Sequence, residues 1–189
     1  MTSPLLPAKE YAILPVPRNL IALPDSTPPR QHVLWIGCSD SLVSETDCLD
    51  INRDEIFVHR NLGGRVSNGD LSSGSALEWA VDLLKVDYIV VCGHYDCEVI
   101  KHELAGKELS GWEMEVSKLD PNARRPSNIL HMSSERSREQ RLEETYLLHE
   151  VDWLKKEEHV QRAIRERGLI VHTFVYDKTR NECVRLVEE

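Results

Sequence analysis

Two stretches end an apolar run abruptly in residues that can do chemistry: HVLWIGCSDSLV, from His32 to Val43, and YIVVCGHYDCEV, from Tyr88 to Val99. The first offers Cys38 and Asp40, the second His94 and Cys97. Thiolate and imidazole are the ligands zinc prefers; structural zinc sites fill four tetrahedral positions with protein, and catalytic ones leave one to water. Cys38, His94 and Cys97 supply three such ligands, and the fourth position falls to Asp40, water or a substrate. His94 and Cys97 are three residues apart, a spacing that brings both to one side of a single turn. Each residue also has a plainer reading. A cysteine is commonly a small buried hydrophobe, a histidine near a strand end a satisfied core residue, and Asp40 with Ser41 a cap for a helix after Cys38. Cys92 lies within an apolar run and reads as core, and Cys48 and Cys183 read as structural too. Ser39 and Ser41 have no assignable histidine partner and are not read as nucleophiles.

Bringing these groups together requires two strands that run the same way. Val33 to Ile36 is a short continuous apolar run, which suits a strand buried on both faces; Ile56 to His59 is a second candidate and Tyr88 to Cys92 a third. Between them, SSGSALEWAVDLLKV places Leu77, Ala80, Val81 and Leu84 on one helix face, with Ser73 or Ser75 available as N-cap. Strand, helix and strand in that order form a right-handed parallel unit, and such sheets carry ligands at the carboxyl ends of their strands. Residues 1 to about 30 hold seven of the nine prolines and read as an extended arm, packed on its own domain or on a partner subunit. Gly106 to Ser134 reads as an irregular surface excursion. Glu135 to Arg167 reads as one or two amphipathic helices, with Leu142, Tyr146, His149 and Trp153 on one face and Gly168 as the stop. LIVHTFVYDKTRNECVRLV reads as a terminal strand pair around a turn at Asp177 to Asn181. No internal repeat or low-complexity tract is visible.

With 189 residues the chain suits one domain with appendages. The apolar share of 41% and charged share of 29% are those of a soluble globular protein, and no apolar run approaches the roughly 18 to 20 residues that cross a bilayer. The net charge of −9 opposes binding to nucleic acid or an anionic membrane; Arg124 and Arg125 read as a solvated loop. Five cysteines and no visible secretory signal point to a reducing compartment, with the cytosol expected.

Several motifs in order resemble the β-class carbonic anhydrases. GCSDSLV is similar to their Cys-x-Asp-Ser-Arg signature, and VVCGHYDC to their Gly-His-x-x-Cys signature. FVHRNLGGRV resembles their Arg-Asn segment, SALEWAVDLLKVDYIVVCGH their helix and following strand, and GLIVHTFVYDKTRNECVRL their last strands. The likeness is specific from about Val33 to Ile100 and looser to the C-terminus. It implies an α/β fold, with a mainly parallel sheet flanked by helices. A Pro-rich arm at residues 1–30 would precede one zinc-binding domain at 31–189 and reach over a partner in a homodimer or dimer-based oligomer. Zinc would be held by Cys38, His94 and Cys97. The implied reaction is reversible hydration of carbon dioxide to bicarbonate by a zinc-bound hydroxide, with Asp40 as the catalytic residue that accepts a hydrogen bond from it.

The sequence departs from that pattern at the arginine that holds the aspartate off the metal: Leu42 stands there, and leucine offers neither fork nor charge. A carboxylate without that partner is expected to become the fourth ligand, so Asp40 is a candidate for closing the site. Glu98 and Val99 replace a pair of glycines, narrowing the pocket and adding negative charge where bicarbonate would bind. Three readings follow: a hydratase weakened at Leu42; a catalytically inactive zinc-binding paralogue with a structural, sensing or regulatory role; and a hydrolase of another small electrophile of the carbon disulfide kind.

Overall fold

Alternation decides which way each side chain of the central strand faces. A computed structural model of the chain describes residues 11–23, 30–67, 69–104 and 138–188. In it, Val33–Cys38 forms β2, with every residue buried. Leu34 and Ile36 point to one side, where they join Ile89 and Val91, and Val33 and Trp35 point to the other with Val90, Cys92 and Phe174. Both faces of this strand are therefore covered, which is why its sequence is an unbroken apolar run rather than an alternating one.

Among the described residues the sheet has six strands. β1 is Tyr11–Pro15, β3 Ile56–Asn61, β4 Tyr88–His94, β5 Ile170–Asp177 and β6 Glu182–Glu188, in the spatial order β1-β6-β5-β4-β2-β3. β3, β2, β4 and β5 are parallel neighbours, and β6 and β1 add antiparallel to one edge. The register sets Gly37 beside Cys92 and Cys38 beside Asn61, so β2, β3 and β4 end at the same edge.

Helices cover the Leu34 face: α2 (Leu71–Glu78, continued by a wider π-helical stretch Trp79–Leu84), α4 (Arg138–Lys156) and α5 (Glu158–Arg167). Leu77, Ala80, Val81, Val151, Leu154 and Val160 fill that layer. Fully burying such aliphatic side chains is worth roughly 1.5–3 kcal/mol each. The Val33 face is covered by Ile21, Val43 and Leu49, from the segment after β1, the loop after β2 and α1 (Glu45–Leu49) respectively. α3 (Glu98–Leu104) follows β4 directly.

Several expectations change. The proline-rich arm contributes a regular strand: β1 pairs with β6 from Tyr11–Glu188 to Pro15–Val184, at the sheet edge, where a proline leaves no interior ladder bond unmade. The cap of α2 is Asp70, not Ser73 or Ser75; its carboxylate accepts the Ser73 N–H at 2.9 Å. The cap of α1 is Ser44, not Asp40 or Ser41. Cys48 and Cys183 are joined in a disulfide with a Cα separation of 6.0 Å, where a reducing compartment implies free thiols. Cys92 is buried core, as expected. Gly106 to Ser134 lies outside the described residues. No helix among the described residues is long and apolar enough to cross a membrane.

Candidate metal centre

β2 ends at Cys38 and β4 at His94, and the turn after β4 carries Cys97 to the N-terminus of α3. The ligand atoms of these three residues lie within 4.8 Å of one another, and all three residues are buried. The two sulfurs are 4.0 Å apart; a tetrahedral zinc with Zn–S bonds of about 2.3 Å sets two sulfurs roughly 3.8 Å apart. His94 Nδ1 lies 3.3 Å from the Tyr95 carbonyl oxygen and, as the N–H, donates to it. That leaves Nε2 with its lone pair, buried and without a hydrogen-bond partner. An imidazole fixed by its outer nitrogen and left open at the inner one is the arrangement of a metal-ligating histidine. The donor set and the orphaned nitrogen fit a divalent cation.

The backbone around Cys38 also favours a thiolate. Gly63 N–H donates to Cys38 Sγ at 3.2 Å and Asp40 N–H at 3.4 Å. Gly63 and Gly64 both have left-handed φ, of 80° and 62°, and a Cβ at Gly64 would stand 3.2 Å from the Gly37 carbonyl carbon. The paired glycines thus let the loop after β3 lie against the ligand strand. Cys97 donates to Cys38 across the 4.0 Å between the sulfurs. That hydrogen bond lowers the Cys38 pKa to about 4 against the effect of burial, and raises that of Cys97. Burial works against protonation of His94, but the nearby Cys38 sulfur and the Asp40 carboxylate outweigh it and hold the pKa above its ordinary value.

Asp40 is exposed at the rim and is not one of the three clustered ligands. Its Oδ2 accepts the Glu98 N–H at 3.2 Å. Leu42 is 83% exposed and makes no polar contact with it. Glu98, whose side chain was expected to narrow the pocket, holds the aspartate through its backbone.

Two contributors were not assigned a role from the sequence. Arg60, at the end of β3, clamps the loop after β2: it donates to Glu45 and to the carbonyls of Cys38, Ser41 and Val43, at 2.8 to 3.2 Å. Glu143, on α4, is 4% exposed and accepts the Cys97 N–H at 2.8 Å, while its other oxygen is buried without a partner. An intact Arg-Asn pair was the only signal for the first; for the second the flank of the Leu142–Tyr146 stripe was the only hint.

Burial pushes the Glu143 carboxyl up to about 7, partly offset by the Cys97 N–H. A folded-state pKa above the unfolded one means the folded chain binds more protons between pH 4.5 and 7. The carboxyl therefore costs nothing below that window and about 3 kcal/mol above it in the metal-free protein. Glu143→Gln is expected to raise the thermal midpoint of the metal-free protein at pH 8 and leave it unchanged at pH 4. Equal midpoints for the two chains at pH 8 would contradict this.

The fold and the cluster define an α/β protein with a Cys2His group at the carboxyl edge of a parallel sheet. The carbonic anhydrase family profile matches residues 33–182, and the chain belongs to the β-class carbonic anhydrase family. It is 34% identical over 148 residues to a carbonic anhydrase of Emericella nidulans, covering 76% of this chain and 64% of that protein. It is 48% identical over 80 residues to one of Candida albicans, covering 42% and 28%. The chain thus spans less than two thirds of the length of these two relatives. Among solved structures, the β-carbonic anhydrase CafD of Aspergillus fumigatus superposes with a TM-score of 0.75 at 31% identity, covering 93% of this chain and 99% of that one.

Proposed function

We propose that Cys38, His94 and Cys97 hold a zinc ion and that the chain catalyses the reversible hydration of carbon dioxide to bicarbonate, at a rate limited by the loss of arginine at position 42. The observation that carries this reading is the buried trio of two sulfurs and an unpartnered imidazole nitrogen, with a carboxylate at its rim. Bound zinc supplies the acidity that makes water a nucleophile near neutral pH. Two thiolates cancel the formal charge of the dication, so it acidifies water less than a site of three neutral imidazoles does. The neighbouring side chains matter correspondingly more.

The chain's own groups divide the remaining work. Asp40 accepts a hydrogen bond from the attacking oxygen and orients it toward the carbon of the substrate. The Glu98 N–H gives its carboxylate an anchor outside the cluster, part of what an arginine would otherwise provide, and this weighs against Asp40 as a fourth ligand. Among the described residues the carboxylate is held at one oxygen, without a cationic fork. With Nδ1 donating to the Tyr95 carbonyl, Nε2 is the nitrogen of His94 that would meet the metal. Gly63 and Asp40 N–H groups steady the Cys38 sulfur.

The exposed Leu42 favours a second reading, a zinc-binding paralogue without efficient turnover that serves in a structural, sensing or regulatory role. Metal analysis together with stopped-flow carbon dioxide hydration separates the two. One zinc per chain with a rate above buffer supports the hydratase; full zinc with no such rate leaves the paralogue, and an absence of zinc sinks both. We place the protein in the cytosol, a compartment in which the Cys48–Cys183 bridge meets thiol reductants; carbon dioxide and bicarbonate are its small-molecule partners, and neither nucleic acid nor membrane is one. The β-carbonic anhydrases of Sordaria macrospora, similar at TM-score 0.67 and 29% identity, are tetrameric. We expect this chain to form at least a homodimer, and a monomeric mass by light scattering would remove that expectation.

A further inference from the structure

The Cys48–Cys183 pair joins two parts of the molecule 135 residues apart in sequence. Cys183 sits on β6, which is paired on both sides, to β5 and to β1. Cys48 sits on α1, a single turn of five residues. A helix that short has no stability of its own and depends on its tertiary ties. Those ties are the buried Leu49, the disulfide and Glu45, which pairs with Arg60 at 2.8 Å. Arg60 in turn holds the Cys38 carbonyl at 2.8 Å. A continuous set of covalent and hydrogen bonds therefore runs from β6 through α1 and Arg60 to the first of the clustered cysteines.

Both bridge residues are half-buried and line an open cleft of about 350 Å³, together with Leu42, Val43 and Tyr176. The sulfurs are thus within reach of solvent from the same side as the segment that carries Asp40.

We propose that Cys48–Cys183 is a thiol–disulfide exchange site for a dithiol reductant, and that its redox state sets how firmly residues 39–50 are held beside Cys38. One thiolate of the reductant attacks a bridge sulfur and forms a mixed disulfide, releasing the other cysteine as a thiolate that takes up a proton. The second thiol of the reductant then displaces the remaining cysteine, which also leaves as a thiol. The bridge gains two electrons and two protons, and the reductant departs as its own disulfide. Asp47 and Glu182 flank the cleft, so an uncharged dithiol is a better co-reactant than an anionic thiol.

Dithiothreitol is the probe, used on the whole folded chain. Alkylation in denaturant followed by intact mass is expected to count three labelled cysteines before treatment and five after, since Cys38, Cys92 and Cys97 are the free ones. Hydrogen exchange of residues 39–50 is expected to quicken about tenfold on reduction, with β2 and β4 unchanged. The double variant Cys48→Ala with Cys183→Ala should show the fast exchange without reductant. In Glu45→Ala, reduction should still loosen residues 45–50 but no longer residues 39–43, because the link to Arg60 is cut. Five labels in the untreated oxidised chain, a bridge that resists dithiothreitol in the folded protein, or reduction with unchanged exchange at 39–50 each overturns the proposal. The label count in denaturant and the exchange of the double variant, read without reductant at equal metal content, do not depend on hydratase rate or on removal of metal by the dithiol, so they stand apart from the test of the proposed activity.

Discussion

Cys97→Ser is expected to abolish zinc retention. Replacing a group that merely supports a metal ligand costs roughly 10–100-fold in affinity, and removing a ligand costs more, because a neutral hydroxyl is a poor donor beside a thiolate. Zinc per chain after dialysis against a chelator reads the effect directly, and carbon dioxide hydration should fall to background with it. Full zinc in the variant would mean that the cluster is not the metal site. The same thiol predicts a pH dependence in the parent. Cys97 keeps its proton when no cation is present, because it donates to Cys38 and is buried. A metal must expel that proton, and one from His94 where the ring is protonated, so affinity should climb at least about tenfold per pH unit across the neutral range. A flat profile between pH 6 and 8 would show that both sulfurs are already ionised before the metal arrives.

Leu42→Arg is expected to raise the hydration rate by about 10–100-fold, the equivalent of a charge-assisted hydrogen bond of roughly 1.5–3 kcal/mol realised in the transition state. Position 42 is open to solvent, so a longer side chain displaces nothing there, and it lies two residues from the carboxylate it must hold. Leu42→Lys should recover less, because an ammonium cannot grip both oxygens. Rates are compared at equal zinc content. If all three chains turn over alike, the Glu98 N–H already does what the arginine was meant to do.

The clustered trio was legible because Cys38 and His94 follow apolar runs, Cys97 stands three residues on, and parallel strands deliver their ends to one edge, but it was the ordered resemblance to a family's motifs that singled these residues out from plainer readings. What escaped was long-range. On α4 the spacing of Leu142, Tyr146, His149 and Trp153 suggested the buried face, yet His149 and Trp153 are only half-buried, while Glu143, Glu144 and Glu150 are inside. These carboxylates are buried because donors elsewhere in the chain need acceptors: two tyrosine hydroxyls for Glu144, and backbone groups for the other two. Glu143 takes the Cys97 N–H, and Glu150 takes the N–H groups of Val66 and Ser67 and the Ser67 hydroxyl. Hydropathy periodicity cannot register an acceptor whose donor is some 45 to 85 residues away. β1 escaped for a related reason: prolines argue against a central strand, and only the partner strand at the other end of the chain shows that an edge was on offer. The disulfide was masked by compartment reasoning, which speaks of averages and not of two particular cysteines.

Glu144 is wholly buried, and both of its oxygens are engaged: Tyr95 OH donates to one at 2.7 Å, and Tyr11 OH donates to the other. Tyr95 is the residue whose carbonyl fixes the His94 ring. A protein chemist trimming the first dozen residues to tidy up an expression clone would strip a hydrogen-bond donor from an enclosed carboxyl group and unsettle the neighbour that aims the imidazole. Affinity handles are therefore better attached with a spacer ahead of Tyr11, and a preparation cut back beyond it should not be used to judge whether the protein is active.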